Sequence, residues 1–195
     1  MVRAWYRAES GDDRGTMMLD PGQFVPVDEM MRKTGVRCLQ FKAESWDTDA
    51  EYKAFKDRKQ YTYEDTIEIT REGMPDYEIQ VKNFASEHIH PDEEIRFVLD
   101  GTGYFDIRDW DDRWIRLEAS KGDLLIIPAG VYHRFVLDKK NFMRVKRLFE
   151  GVPRWTAFFR PDGDDHPARI EYLRNLAEVR RLTSDPVSGN NGKAG

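Results

Sequence analysis

A mainly β fold is what this sequence predicts: a small barrel or sandwich with helices packed outside it. From residue 93 to residue 159, short β-rich runs alternate with turn signals at regular spacing, as in an antiparallel barrel. Helix-periodic text precedes and follows that stretch, which places helices against the outside of the sheets. The 195 residues are 39% hydrophobic, enough to fill the core of one domain although 34% are charged.

The elements follow in order. Residues 26–35 predict a short helix, with Asp28 near its start and Gly35 as its stop. Residues 36–41 alternate and read as a strand. The single cysteine, Cys38, falls there as a core thiol, so no intramolecular disulfide forms, as expected of a reducing compartment. Residues 49–60 read as a charged helix with Tyr52 and Phe55 on one face. Residues 65–71 are short and ambiguous. After an Asp76 cap, Tyr77, Val81 and Phe84 fall at helical spacing.

The β-rich middle starts with residues 95–99, which lead into Asp100-Gly101, a hairpin signal, and then residues 104–107. Trp110-Asp111-Asp112 makes the next turn. Residues 114–117, 124–127, 132–137, 143–149 and 155–159 read as further strands. A last helix opens at Asp164-Asp165-His166-Pro167, with Pro167 in its first turn and Ile170, Leu173, Leu176 and Ala177 as its apolar stripe. Residues 1–182 are expected to form one domain, and residues 183–195, rich in Ser, Gly and Asn, a disordered tail.

Several classes of function are excluded. The net charge is −5 with both signs mixed along the chain, so no basic stripe offers itself to nucleic acid. The amino terminus turns charged at once and has no apolar stretch of a signal peptide, and no apolar run approaches a membrane span. The expected location is the cytoplasm, with the nucleus also open to it. No sustained apolar edge or heptad suggests assembly, so a monomer is expected.

Three of the four histidines fall in one pattern. His88-Ile89-His90-Pro91-Asp92-Glu93-Glu94 supplies two imidazoles and a carboxylate. In an extended strand, residues two apart share a face, so His88 and His90 aim at one point. Glu94 returns a carboxylate to that point after the Pro91 break. His133 comes from a distant strand through the turns at Gly122, Pro128 and Gly130. His-x-His alone is weak evidence of a metal, and a pair of half-buried histidines on a sheet edge is the plain alternative. Glu94 and the Gly/Pro-framed His133 make the metal reading strong. Four protein ligands leave an octahedral ion two positions for substrate or water. His166 reads as a surface residue near a helix start.

Parity adds neighbours. Arg96 shares the face of Glu94, where an inward arginine is costly unless it meets an anion. It either orients an anionic substrate or forms a salt bridge to Glu94 or another carboxylate. Phe135 shares parity with His133, and Phe105 and Phe84 also reach toward the same space. They would line an apolar pocket, although core packing explains each equally well. Arg134 has the opposite parity and faces out, and Glu93 lies beside the site or on the surface.

The spacing His88, His90, Glu94, Gly101 and then Gly122, Pro128, Gly130, His133 resembles the two motifs of the cupin superfamily, a double-stranded β-helix or jelly-roll barrel. Lys82 and Leu137 depart from its usual leading Gly and trailing Asn, but neither is a ligand position. Met1-Val2-Arg3-Ala4-Trp5-Tyr6, the run of residues 88–109, Pro128-Ala129-Gly130-Val131-Tyr132-His133-Arg134-Phe135 and Arg147-Leu148-Phe149 together resemble eukaryotic acireductone dioxygenase. The resemblance extends to about the last helix.

That resemblance implies one Fe(II) or Ni(II) ion per chain, held by His88, His90, Glu94 and His133. It implies an acireductone and O2 as substrates, and Arg96 as a catalytic, substrate-orienting residue. Affinity order favours nickel over iron at such a site, so availability decides. Two other readings stay open: a metal-dependent isomerase of sugar phosphates, and a non-catalytic cupin that binds a small molecule.

Overall fold

The computed structural model describes residues 1–9, 11–154 and 156–184. Among them are ten strands: β1 (Arg3–Tyr6), β2 (Arg37–Gln40), β3 (Tyr63–Ile69), β4 (His88–Ile89), β5 (Glu94–Arg108), β6 (Trp114–Ser120), β7 (Asp123–Ile127), β8 (His133–Leu137), β9 (Met143–Phe149) and β10 (Phe158–Phe159). Four helices accompany them: α1 (Val27–Thr34), α2 (Ala50–Lys59), α3 (Tyr77–Ala85) and α4 (Pro167–Ser184). All strand pairs are antiparallel. One path runs β1-β6-β5-β8-β4-β10 and the other β2-β7-β5-β9-β3, so the two faces of the barrel share β5.

This corrects the hairpin expected at Asp100-Gly101. The chain does not reverse there. It continues as one strand of 15 residues whose pairing with β9 shifts register between Val98 and Asp100. Gly101 takes φ 81°, and a Cβ there would run into the Phe142 carbonyl. Turn-type residues here serve a bulge, which bends the strand from one sheet into the other. The bulge also changes which residues face inward: Glu94, Arg96 and Val98 before it, Phe105 and Ile107 after it.

Two cores result. One lies between the sheets and continues beneath α1 and α4, with Met30, Ile107, Ile127 and Leu176 among its members. The other lies between α2 and the outer face of the β2–β3 sheet, where Tyr52 and Phe55 pack on Phe97, Leu124 and Leu148. Each such side chain, fully buried, contributes roughly 1.5–3 kcal/mol. The odd residues of β5 up to Leu99 therefore face α2 while the even ones face the cavity.

The helix ends follow local chemistry. Asp49 Oδ1 accepts the N–H groups of Glu51 (2.8 Å) and Tyr52 (3.0 Å), a cap worth about 1 kcal/mol. Gly35, at φ 71°, ends α1 and donates its N–H to Met31 O. The expected Asp76 side-chain cap is absent: Asp76 is itself left-handed at φ 53°, and its carbonyl accepts from Ile79 and Gln80.

On α4 the buried face is Arg169, Tyr172 and Leu176, while Ile170, Leu173 and Ala177 are exposed. Of the expected stripe only Leu176 lies on the buried face, where Tyr172 Oη also donates to Thr34 O at the end of α1, 3.1 Å away. The helix runs through Ser184, two residues into the segment expected as tail. Residues 185–195 and Trp155, placed in the expected last strand, lie outside the described residues.

Candidate metal centre

β4, β5 and β8 bring the predicted ligands together. His88 and His133 are direct cross-strand partners on β4 and β8, and His90 follows two residues after His88. Nitrogens of His88, His90 and His133 all lie within 4.8 Å of one another. Glu94, the first residue of β5, places Oε2 3.3 Å from His90 Nε2 and 3.6 Å from His133 Nε2. His88, Glu94 and His133 are buried, and His90 is half-buried.

Each imidazole is oriented through its other nitrogen. Nδ1 of His88 faces Ser86 O at 2.7 Å, that of His90 faces Thr156 O at 2.9 Å, and that of His133 faces Val131 O at 3.0 Å. A carbonyl only accepts, so each Nδ1 carries a proton and each Nε2 is the nitrogen left to face the common point. The Nε2 atoms converge, and the buried His133 Nε2 has no hydrogen-bond partner. Burial, and then His133, push the His88 pKa down to about 3, so its ring is neutral and ready to ligate. Burial opposes the charged form of Glu94, but Arg96 and the two imidazoles outweigh it and hold the carboxyl well below its usual range. Against burial, the hydrogen bond to Glu94 raises the His90 pKa. Three imidazole nitrogens with one ionised oxygen donor, one nitrogen orphaned, fit a divalent cation that takes the place of any Nε2 proton.

Arg96 sits on the same face, its Nη2 3.0 Å from Glu94 Oε2. The salt bridge weighed as an alternative is therefore formed, and it coexists with a place on the cavity wall. Across the ladder Arg96 pairs with Arg147 of β9, which is bound to Asp65 of β3 (Nε–Oδ1 2.8 Å). Both cationic residues of the cavity thus have a carboxylate, which does not favour a phosphate-binding isomerase.

The cavity itself has a volume of about 710 Å³. Phe84 of α3, Phe105 of β5 and Phe135 of β8 all line it, with Phe105 and Phe135 in ring contact at 4.8 Å. Ile67, Ile69, Met74, Met143 and Val145 extend that apolar wall, and Phe159 closes on the His88 ring at 6.0 Å. Sequence reasoning missed Arg147 and these wall residues. Alternation of Met143, Val145 and Arg147 was the available signal. It is masked because Lys146 and Leu148 on the other face of β9 are buried as well.

The remaining expectations fall outside the cavity. Glu93 turns outward to Arg37 (2.9 Å) and Tyr61 (3.1 Å). Arg134 points outward as expected but is covered: its Nε binds the fully buried Asp106 at 2.9 Å beneath the amino-terminal segment. Burial pushes the Cys38 thiol up to about 12, in keeping with a core role. His166 Nδ1 accepts from Ala168 N–H at the start of α4.

Known proteins share this chain's sequence and fold. An acireductone dioxygenase of Ixodes scapularis is 46% identical over 180 residues, which span 91% of this chain and 98% of that one. One of Homo sapiens is 43% identical over 180 residues, 92% and 99% of the two chains. Among solved structures, "Acireductone dioxygenase from Bacillus anthracis with cadmium ion in active center" shares the cupin fold with a TM-score of 0.63 at 20% identity, covering 82% of this chain and 98% of that one. The ARD/ARD' family matches residues 1–157, and this chain belongs to that family.

Proposed function

We propose that the chain is an acireductone dioxygenase of methionine salvage, cleaving 1,2-dihydroxy-3-keto-5-methylthiopentene with O2. Its products are 4-methylthio-2-oxobutanoate and formate with iron(II), and methylthiopropanoate, formate and carbon monoxide with nickel(II). The observation that carries the reading is the convergence of three imidazoles, each held through Nδ1, and Glu94 in a cavity whose wall also carries Phe84, Phe105 and Phe135. His88, His90, Glu94 and His133 would hold one divalent ion, which supplies Lewis acidity and a template for a chelating enediolate.

The chain's own residues do the rest. Arg96 sets a fixed positive charge beside Glu94, where an enediolate oxygen needs a partner, and its orientation is established before substrate arrives. Its Nη1 also donates to Ile95 O at 3.1 Å, which limits its motion. Phe84, Phe105 and Phe135 take the methylthio tail and keep water from the reacting end. The isomerase reading would need unpaired cations for a phosphate.

The test is direct. Anaerobically prepared acireductone should lose its near-ultraviolet absorbance rapidly when iron-loaded chain and O2 are added. No acceleration over spontaneous oxidation would sink the proposal. Product analysis with iron-loaded and nickel-loaded chain then decides the metal dependence. The monomeric state and the cytoplasmic and nuclear location belong to the same proposal, and gel filtration and cell fractionation test them.

A further inference from the structure

We infer that Arg169 is a positioning residue for the metal centre, acting through the backbone of Gly130. The inference rests on the three-imidazole reading above. Arg169 stands in the first turn of α4 and is 9% exposed. Among the described residues no carboxylate forms an ion pair with it. Its guanidinium lies between two rings instead, 4.7 Å from the centroid of Tyr132 and 5.5 Å from that of Tyr172. A cation buried without a counter-ion is costly, and the structure shows one thing it does with its charge. Its Nη1 donates to Gly130 O at 3.2 Å.

Gly130 passes that contact on. Its N–H donates to His90 O at 2.9 Å. One residue further, Val131 O accepts the Nδ1 proton of His133 at 3.0 Å. A charged donor on the Gly130 carbonyl holds one side of the residue, and its own N–H, which belongs to the preceding peptide, ties the other side to His90. The segment cannot easily retreat. Gly130 has φ 76°, and a Cβ there would run into the Ala168 carbonyl, so its backbone lies directly against α4. One guanidinium therefore steadies the segment that touches two of the three ligand residues. His88 stands one step further off: its Nδ1 proton goes to Ser86 O, and it meets this segment only through its cross-strand pairing with His133.

That asymmetry supplies the test. Proton NMR of the full chain loaded with Co(II) displays hyperfine-shifted, exchangeable Nδ1–H signals, one for each ligating imidazole. In Arg169→Met the signals of His90 and His133 should move while that of His88 stays, and Co(II) affinity should fall about tenfold. Arg169→Lys keeps a donor but not the planar group, and should move the same two signals less. Three unmoved signals in a folded Met variant overturn the inference. Three signals moved together also overturn it, because they report general loosening. Should the Met variant not fold, the Lys variant is read in the same way, and unmoved signals there overturn it. A wild-type chain with no shifted imidazole signals overturns the three-imidazole reading itself, a separate failure.

Discussion

Arg96 and Glu94 share one face of one strand, their charged ends 3.0 Å apart, so a ligand carboxylate and the cation beside it are held by the same backbone. Arg96→Ala should separate their roles. His88, His90, Glu94 and His133 are untouched by the change, so the metal content measured by elemental analysis should stay near one per chain. Turnover should fall by about 10²–10³, the usual loss for one oriented charge at an oxyanion. Equal losses of metal and turnover would mean that Arg96 serves only to hold Glu94.

His88→Ala and His133→Ala should behave differently from Arg96→Ala. Each removes an inward-facing Nε2, so bound metal and activity should disappear together while the circular dichroism spectrum is kept. A variant that retains full metal content would remove that histidine from the ligand set.

Phe135→Ala opens the cavity beside α3 and takes away a ring that packs on both Phe84 and Phe105. Apolar contact with a tail remote from the reacting atoms is felt equally by substrate and transition state, so KM should rise about tenfold with kcat nearly kept. An unchanged KM would confine Phe135 to packing.

Gly101→Val tests the bulge. A β-branched side chain at φ 81°, facing the Phe142 carbonyl, should destabilise the chain by about 2–3 kcal/mol or more. Urea unfolding should show a lower midpoint, and a wild-type midpoint would show that the strand bends without the glycine.

Cys38 offers a pH-linked check. With its thiol pushed up to about 12 by burial, roughly one molecule in ten thousand carries the thiolate at pH 8. Iodoacetamide at pH 8 should leave the folded chain unmodified and alkylate it readily in urea. Rapid labelling of the folded chain would place Cys38 at the surface.

What was legible in the sequence followed from local rules. The His-x-His spacing and the parity of Arg96 and Phe135 depend on a period of two, the frame before His133 on turn chemistry, and the side chains they place met at one cavity. The misreadings arose where tertiary contacts overrode a local signal. Asp100-Gly101 is turn chemistry, yet β9 and β6 pair on either side of it and carry the strand through. The α4 stripe was chosen by hydrophobicity, but Arg169 and Tyr172 share the buried face with Leu176. Arg147 was hidden because both faces of its strand are covered. The carbonyls of Ser86, Thr156 and Val131 left no trace in the sequence, since any residue can supply a backbone oxygen.

Because β5 belongs to both faces of the barrel, its two halves are stitched to strands that the ribosome delivers later. Glu94 and Arg96 lie against β7 and β9, and Phe105 against β8. Such distant pairings pay their loop-closure entropy late in folding. The full ligand set therefore cannot exist on a nascent chain that has emerged only as far as Glu94, because His133 is still to come.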